Sequence, residues 1–442
     1  MALALLILVA ALLVVRAALD LWAGRELNAE VARLGTVYGR LDPATLALPR
    51  VPPSENRARV MRAAASLLSV DDAERKALDW FYLRSGQPST GLSDDLQRLA
   101  GENRFAEQVA GEGRGRPKSN WEIDYAHNDR NFPRLREVRD LGTVLSLSCR
   151  AAVDAGHADE AAGTALTGLA EAASFGGEPN DVLQLTRMGI VRDQMMCVRD
   201  LLERNQPSAA VLTDVAQALA ESRTPDPVHT AFIGELKDDN QLFAQMERGD
   251  YVGVSVGGRY GDPNQSPTWA AQLVTWLCRP LIRLAHGRYL AGMARIIALQ
   301  RVVPSARQAS ADDARPKTTW QPGRWWQIWR RLDETLVADL ANLGENFLAG
   351  HRNLADSGYL YTSQLNAAEL AVALRRFRLD RGTYPDALAE LAPRYLAQVP
   401  IDPITGHPPE YTRQGEGFEL RGHAPKWMGE DDSPLLAWKI SR

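Results

Sequence analysis

Cysteine is scarce. Three residues, Cys149, Cys197 and Cys278, are spread over 442 positions with no C-x-x-C pair. An odd, dispersed set argues against a disulfide framework and against a finger-type zinc site. The seven histidines are equally scattered, without H-E-x-x-H or H-x-H spacing, so no zinc-protease pattern is present. No phosphate-cradling G-x-x-x-x-G-K occurs, and the glycine-rich stretch SVGGRYGD lacks a strand-to-helix context and reads as linker. Charge of one sign is also missing: 51 Lys and Arg against 55 Asp and Glu leave a net charge of -4, which gives nucleic acid no long-range attraction.

What is there begins with MALALLILVAALLVV, uncharged for fifteen residues before Arg16. Fifteen helical residues reach about 22 Å, short of the ~30 Å hydrocarbon core. A snorkelling Arg16, with Ala17 to Trp22 at the interface and Arg25 beyond, extends that reach. Residues 1–25 are therefore expected to form a membrane anchor. A cleaved signal peptide and an apolar core helix are the alternatives. Basic residues follow the apolar run and none precedes it, which by the positive-inside tendency alone places the bulk of the chain in the cytoplasm.

At 442 residues the chain exceeds one ordinary core. Residues 26–60 are expected to be an extended connector, with four prolines between 41 and 60. Residues 61–247 read as an irregular α-helical domain, a solenoid-like stack being one form open to it. Within it, LGTVLSLSCRAAVDAGHADEAAGTALTGLAEAASFG (141–176) breaks at Gly156 and carries Ala161, Ala165 and Gly168 at close-packing positions. This stretch resembles a tetratricopeptide-like helical hairpin. Residues 248–268 read as a linker, and 269–352 as a helical segment. Pro280, Arg279, Arg283 and Arg288 argue against a second membrane span there. Four tryptophans, Trp320, Trp325, Trp326 and Trp329, stand among arginines further along, a pairing that suits a membrane interface or a partner surface.

The last unit, 353–442, has the richest pattern. Ala367, Leu370, Ala371, Leu374 and Phe377 line one helix face, Gly382 offers a left-handed stop, and Asp386 is expected to cap a short helix after Tyr384-Pro385. PPEYTR and GFELRG read as strands joined through QGEG. ALRRFRLDRGTYPDALAELAP, YLAQVPIDPITGHPPEY and GEDDSPLLAWKI, in this order, resemble the globular part of the type II secretion major pseudopilin over about residues 364–442. The resemblance implies a small α+β module, a location in the bacterial envelope, and a calcium site at Asp431 and Asp432. The family's cleavable leader and the glutamate near the start of its apolar helix have no counterpart here, so the chain is not expected to build a pilus.

Taken together, the expected fold class is mainly α: an N-terminal membrane helix, an irregular helical domain and the C-terminal α+β module. The expected function is that of a membrane-anchored envelope protein in the inner membrane, single-pass and largely periplasmic. Its expected partners are envelope or secretion-related proteins, with no nucleic acid. The alternative is an enzyme with an acid–base or metal site near His127, where NWEIDYAHNDRNF also carries Glu122 and Asp124. FIGELKDDNQLF is read as a helix with solvated charges.

Overall fold

The computed structural model describes residues 2–84, 92–126, 132, 134–249, 269–300, 334–423 and 436–441. Among these the chain is mainly helical, with twelve α-helices and one three-stranded antiparallel sheet. Its contacts divide it into two compact units. One comprises Met1–Ala47, Phe232–Val302 and Arg307–Asn353; the other comprises Leu48–Ala231, Val303–Ala306 and Leu354–Arg442.

In the first unit, α1 (Ala2–Tyr38) is a single helix of 37 residues. Its large side chains from Leu3 to Trp22 stand exposed, whereas Asp20, Ala23, Leu27 and Leu34 are buried. The apolar window of 18 residues spans about 27 Å, long and apolar enough to cross a membrane. Residues 26–38 are helical and not the expected connector, because Leu27 and Leu34 repeat at seven and bury one stripe. Only 39–56 remains as connector, begun by Gly39, whose φ of 72° suits the residue past a helix end, and interrupted by a 3-10 turn at Pro43–Leu46. The unit is completed by α10 (Pro227–Arg248) from Phe232 on, α11 (Trp269–Leu299) and α12 (Glu334–Arg381) up to Asn353.

The second unit holds α2 (Arg57–Ser66), α3 (Asp72–Arg84), α4 (Asp94–Glu102), α5 (Arg104–Glu112), α6 (Leu135–Asp154), α7 (Ala158–Ala173), α8 (Asp181–Arg204) and α9 (Ala209–Glu221). Helices α6 and α7 form a hairpin turned at Gly156, whose φ of 80° few other residues tolerate. Glycine lets the helices close on one another: a Cβ at Gly168 would overlap the Gln194 side chain, and one at Gly142 would lie 3.1 Å from both Glu171 and Ile190. Glu171 is fully buried in this packing, and neither carboxyl oxygen meets a hydrogen-bond partner among the described residues. Burial alone pushes its pKa well above the ordinary 4.5.

The rest of α12, from Leu354, belongs to the second unit and is buried nearly all round between Leu365 and Leu374. Arg223 reaches it with bonds of 2.6 to 2.8 Å to Glu369 and Asn366, and Tyr361 donates to the Ser222 carbonyl at 2.8 Å. Beyond Gly382, a single 3-10 turn (Leu388–Leu391) replaces the expected short helix. Glu390 accepts from the Asp386 and Ala387 amides, while the Asp386 carboxylate pairs with Arg413 at 2.9 Å. The fully buried Asp402 fixes the next loop by accepting from Ser363, the Ile404 amide and the His423 amide. Strands β1 (Glu410–Gln414), β2 (Gly417–Arg421) and β3 (Ala437–Ile440) pair in that order. Phe418, Leu420, Trp438 and Ile440 turn inward.

Glu171 makes a testable case. Its raised folded-state pKa means the stability of the protonated form is full below about pH 4.5 and drains away as pH rises towards the folded value. Glu171→Gln, which keeps the shape of the neutral acid, is expected to raise the unfolding free energy at pH 8 by on the order of 1–3 kcal/mol and to flatten its pH dependence. Urea melts at pH 5 and pH 8 measure both; a variant less stable than the parent at pH 8 contradicts the assignment.

Candidate functional site

Of the cluster expected near His127, Glu122 and Asp124 lie among the described residues. The run alternates: Trp121, Ile123 and Tyr125 are buried, while the Glu122 side chain is half exposed. Trp121 stacks on Phe175 with centroids 4.7 Å apart, and its backbone amide and the Tyr125 hydroxyl both donate to Glu178, at 2.8 and 2.7 Å. Glu122 faces Arg59 at 3.5 Å, and Asp124 accepts from the Ala126 amide. Residues 121–125 thus form a plug whose apolar side chains fill part of the second unit. His127 lies outside the described residues, as do Asp431, Asp432 and the four clustered tryptophans. Gly253-Val254-Ser255-Val256-Gly257 fits the G-x-S-x-G spacing of hydrolase nucleophile turns, which the reading of this stretch as linker passes over. It too lies outside the described residues.

Polar groups gather instead inside the first unit, on three helices. On α10, Glu235 and Asp239 are four residues apart and share a face. α11 brings Tyr289, and α12 brings His351. One oxygen each from Glu235 and Asp239 and one ring nitrogen of His351 lie within 4.8 Å of one another. The His351 Nε2 is 3.2 Å from Asp239 Oδ2 and 3.3 Å from the Tyr289 hydroxyl, which itself donates to Asp239. Phe232 meets the His351 ring edge-on, with centroids 6.1 Å apart. Burial, reinforced by the Asp239 charge, pushes the Tyr289 pKa well above 10, so the hydroxyl remains a donor throughout the physiological range.

Two carboxylates and an imidazole form the N/O donor set that zinc, manganese and ferrous iron accept. Asp239 is satisfied without an ion: it accepts hydrogen bonds from Tyr289 and His351, as a buried carboxylate requires. A metal bound at Asp239 Oδ2 therefore competes with these two hydrogen bonds.

A second polar group continues along α10 and α11. The two ring nitrogens of His286 each face an oxygen at 3.1 Å, of Glu247 and of Asn240, and Phe243 stacks on the ring at 4.8 Å. The Asn240 amide is oriented by its 2.7 Å bond to the Leu41 carbonyl. Glu247 also holds Arg283 at 3.0 Å, and Arg283 reaches Asp20 on α1 at 3.1 Å. FIGELKDDNQLF is thus not a face of solvated charges. Asp239 is buried, and so is Lys237, whose ammonium donates to Thr45 at 2.8 Å and whose pKa burial lowers. The sequence signal was the shared spacing of Glu235, Asp239, Phe243 and Glu247 at intervals of four, which puts polar and aromatic groups on one stripe.

Comparison of the chain with known protein families, with curated proteins and with solved structures returns no match.

Tyr289→Phe strips the buried Asp239 carboxylate of one donor while leaving the ring in place. A loss of about 1–3 kcal/mol in denaturant-derived stability is expected. In a double-mutant cycle with His351→Ala, the two losses should fail to add, because both donors serve one oxygen. Additive losses would show that the two residues act separately.

Proposed function

We propose that this chain is a membrane-anchored scaffold of a bacterial envelope that works by binding other proteins. The observation that carries the reading is α1, an apolar helix whose membrane-length window has no residue buried by the rest of the protein and whose far end enters a folded unit. In this reading α1 crosses the inner membrane once, the bulk of the chain is periplasmic, and the C-terminal α+β module is pseudopilin-like. Support for that likeness is a long helix stopped at Gly382, then an ordered loop and an antiparallel meander. Asp431 and Asp432 are the proposed calcium ligands of the module.

Recognition rather than filament assembly is supported by the packing of α12. The helix to which the module is attached buries residues 365–374 within its own unit, so that face is already occupied. A second reading, metal-dependent activity, is favoured by Glu235, Asp239 and His351 and not by the neighbourhood of His127.

A C-terminal tag should resist protease in intact cells and become cleavable once the outer membrane alone is permeabilised. Protection that lasts until the inner membrane is broken would overturn the periplasmic placement. The purified chain should carry far less than one equivalent of transition metal by elemental analysis; near-stoichiometric metal, lost on Asp239→Asn, would favour the second reading.

A further inference from the structure

Helix α11 carries a proline and four arginines, features hostile to an apolar environment, and the structure disposes of Arg279, Pro280 and Arg283 in one place. Pro280 has no amide hydrogen, so the Trp276 carbonyl, four residues before it, loses its helical donor. Arg16 of α1 supplies the replacement, with Nε and Nη2 donating to that carbonyl at 3.2 and 2.5 Å and the guanidinium 4.0 Å from the Trp276 ring centre. Asp20 then takes Arg279 at 2.6 Å and Arg283 at 3.1 Å, with Arg16 at 3.5 Å. No backbone or charged group in this set is left to water alone.

These contacts also fix a register. Arg16 meets Trp276, Asp20 meets Arg279, and Gly24 lies against Arg283, so the two helices run parallel with an offset near 260 residues. Gln272–Leu281 therefore lies level with about residues 12–21 of α1, the last turns of its apolar stretch. On α11, Leu273, Val274, Trp276, Leu277 and Leu281 are 39 to 50% exposed there, beside the exposed Leu12, Leu13, Val14 and Leu19 of α1. A cleft of about 580 Å³ opens at the same level, walled by Ala244 and Arg248 of α10 and by Gln272, Thr275, Trp276 and Arg279 of α11. That volume lies in the ordinary range for a small-ligand site. Arg16, Arg279 and Arg283 outnumber Asp20 and Glu247, so the cleft edge is cationic before Arg248 is counted.

We propose that Gln272–Leu281 is immersed in the bilayer beside α1, and that the cleft between α10 and α11 binds the phosphate of an anionic phospholipid whose chains lie along the exposed apolar faces. This rests on the reading of α1 as a membrane anchor. The arginines and Gln272 and Thr275 donate to the phosphate oxygens, and Trp276 sits at headgroup depth, where an indole is at home. The first unit is then seated on the membrane at two points and not merely tethered.

The test uses the full chain in nanodiscs of phosphatidylcholine with and without phosphatidylglycerol. An environment-sensitive dye on Leu273→Cys, in a Cys278→Ser background, should be quenched by doxyl lipids and shielded from iodide, while the same dye on Phe105→Cys shows the reverse. Native mass spectrometry should find phosphatidylglycerol retained over phosphatidylcholine by roughly fivefold, the effect of about one added basic contact. Gln272→Trp, which fills the cleft while leaving Asp20 and its arginines unmutated, should abolish that preference, as should Arg248→Gln in part; inorganic phosphate should not compete. Iodide quenching at residue 273 in a chain that still floats with vesicles overturns the immersion. Equal retention of the two lipids, a preference untouched by both variants, or competition by inorganic phosphate overturns the lipid site. A chain that does not float at all overturns the anchor and the proposal with it.

Discussion

A carboxylate withdrawn from water must be met by cations, and Asp20 is met by three. It sits on a helix otherwise apolar for most of its first twenty residues, and its partners come from its own helix and from one more than 250 residues away. Removing Asp20 would leave Arg279 and Arg283 half buried without their shared acid, a much larger penalty than an exposed ion pair contributes. The pair it makes sets the register of α11 on α1, which brings Arg283 to Glu247, Glu247 to His286, and α10 into line with both. The Asp239–Tyr289–His351 group then closes on the same three-helix arrangement. One buried acid therefore stands at the head of a chain of polar contacts through the whole first unit.

Much of the fold could be read from the sequence because local chemistry decides it. The apolar run of α1, the small residues around Gly156, the stop at Gly382 and the hairpin through QGEG are all short-range patterns, and the helices and strands follow them. What local reading missed was set by distant partners. Pro280 looks like an interruption until Arg16 is seen to satisfy the carbonyl it frees. Asp386 looks like a helix cap until Glu390 takes the amides and Arg413 takes its carboxylate. Strand β3 is too short to announce itself and exists because β2 offers it an edge.

The site was less legible than the fold. NWEIDYAHNDRNF drew attention because six polar or titratable groups crowd into nine positions, yet sequence density says nothing about direction. Alternation sends Trp121, Ile123 and Tyr125 inward and leaves Glu122 at the edge. A group that converges among the described residues is assembled from Glu235, Tyr289 and His351, which lie on three helices, so no window of sequence contains it. Its one local trace, the four-residue spacing on α10, is the same trace that an exposed charged stripe leaves.

The order in which the chain is made adds a constraint of time. Arg16 and Trp276 are 260 residues apart. At about 5–20 residues per second, synthesis needs on the order of 13–52 seconds to go from the first to the second. Throughout that interval α1 carries Asp20 with only Arg16 to oppose it, while the helices of residues 48–231 are being made. The first unit thus contains the first residues made and still cannot close until α11 and the start of α12 have followed, so for tens of seconds Asp20 has to be kept from other arginine-bearing helices by something other than its own distant partners.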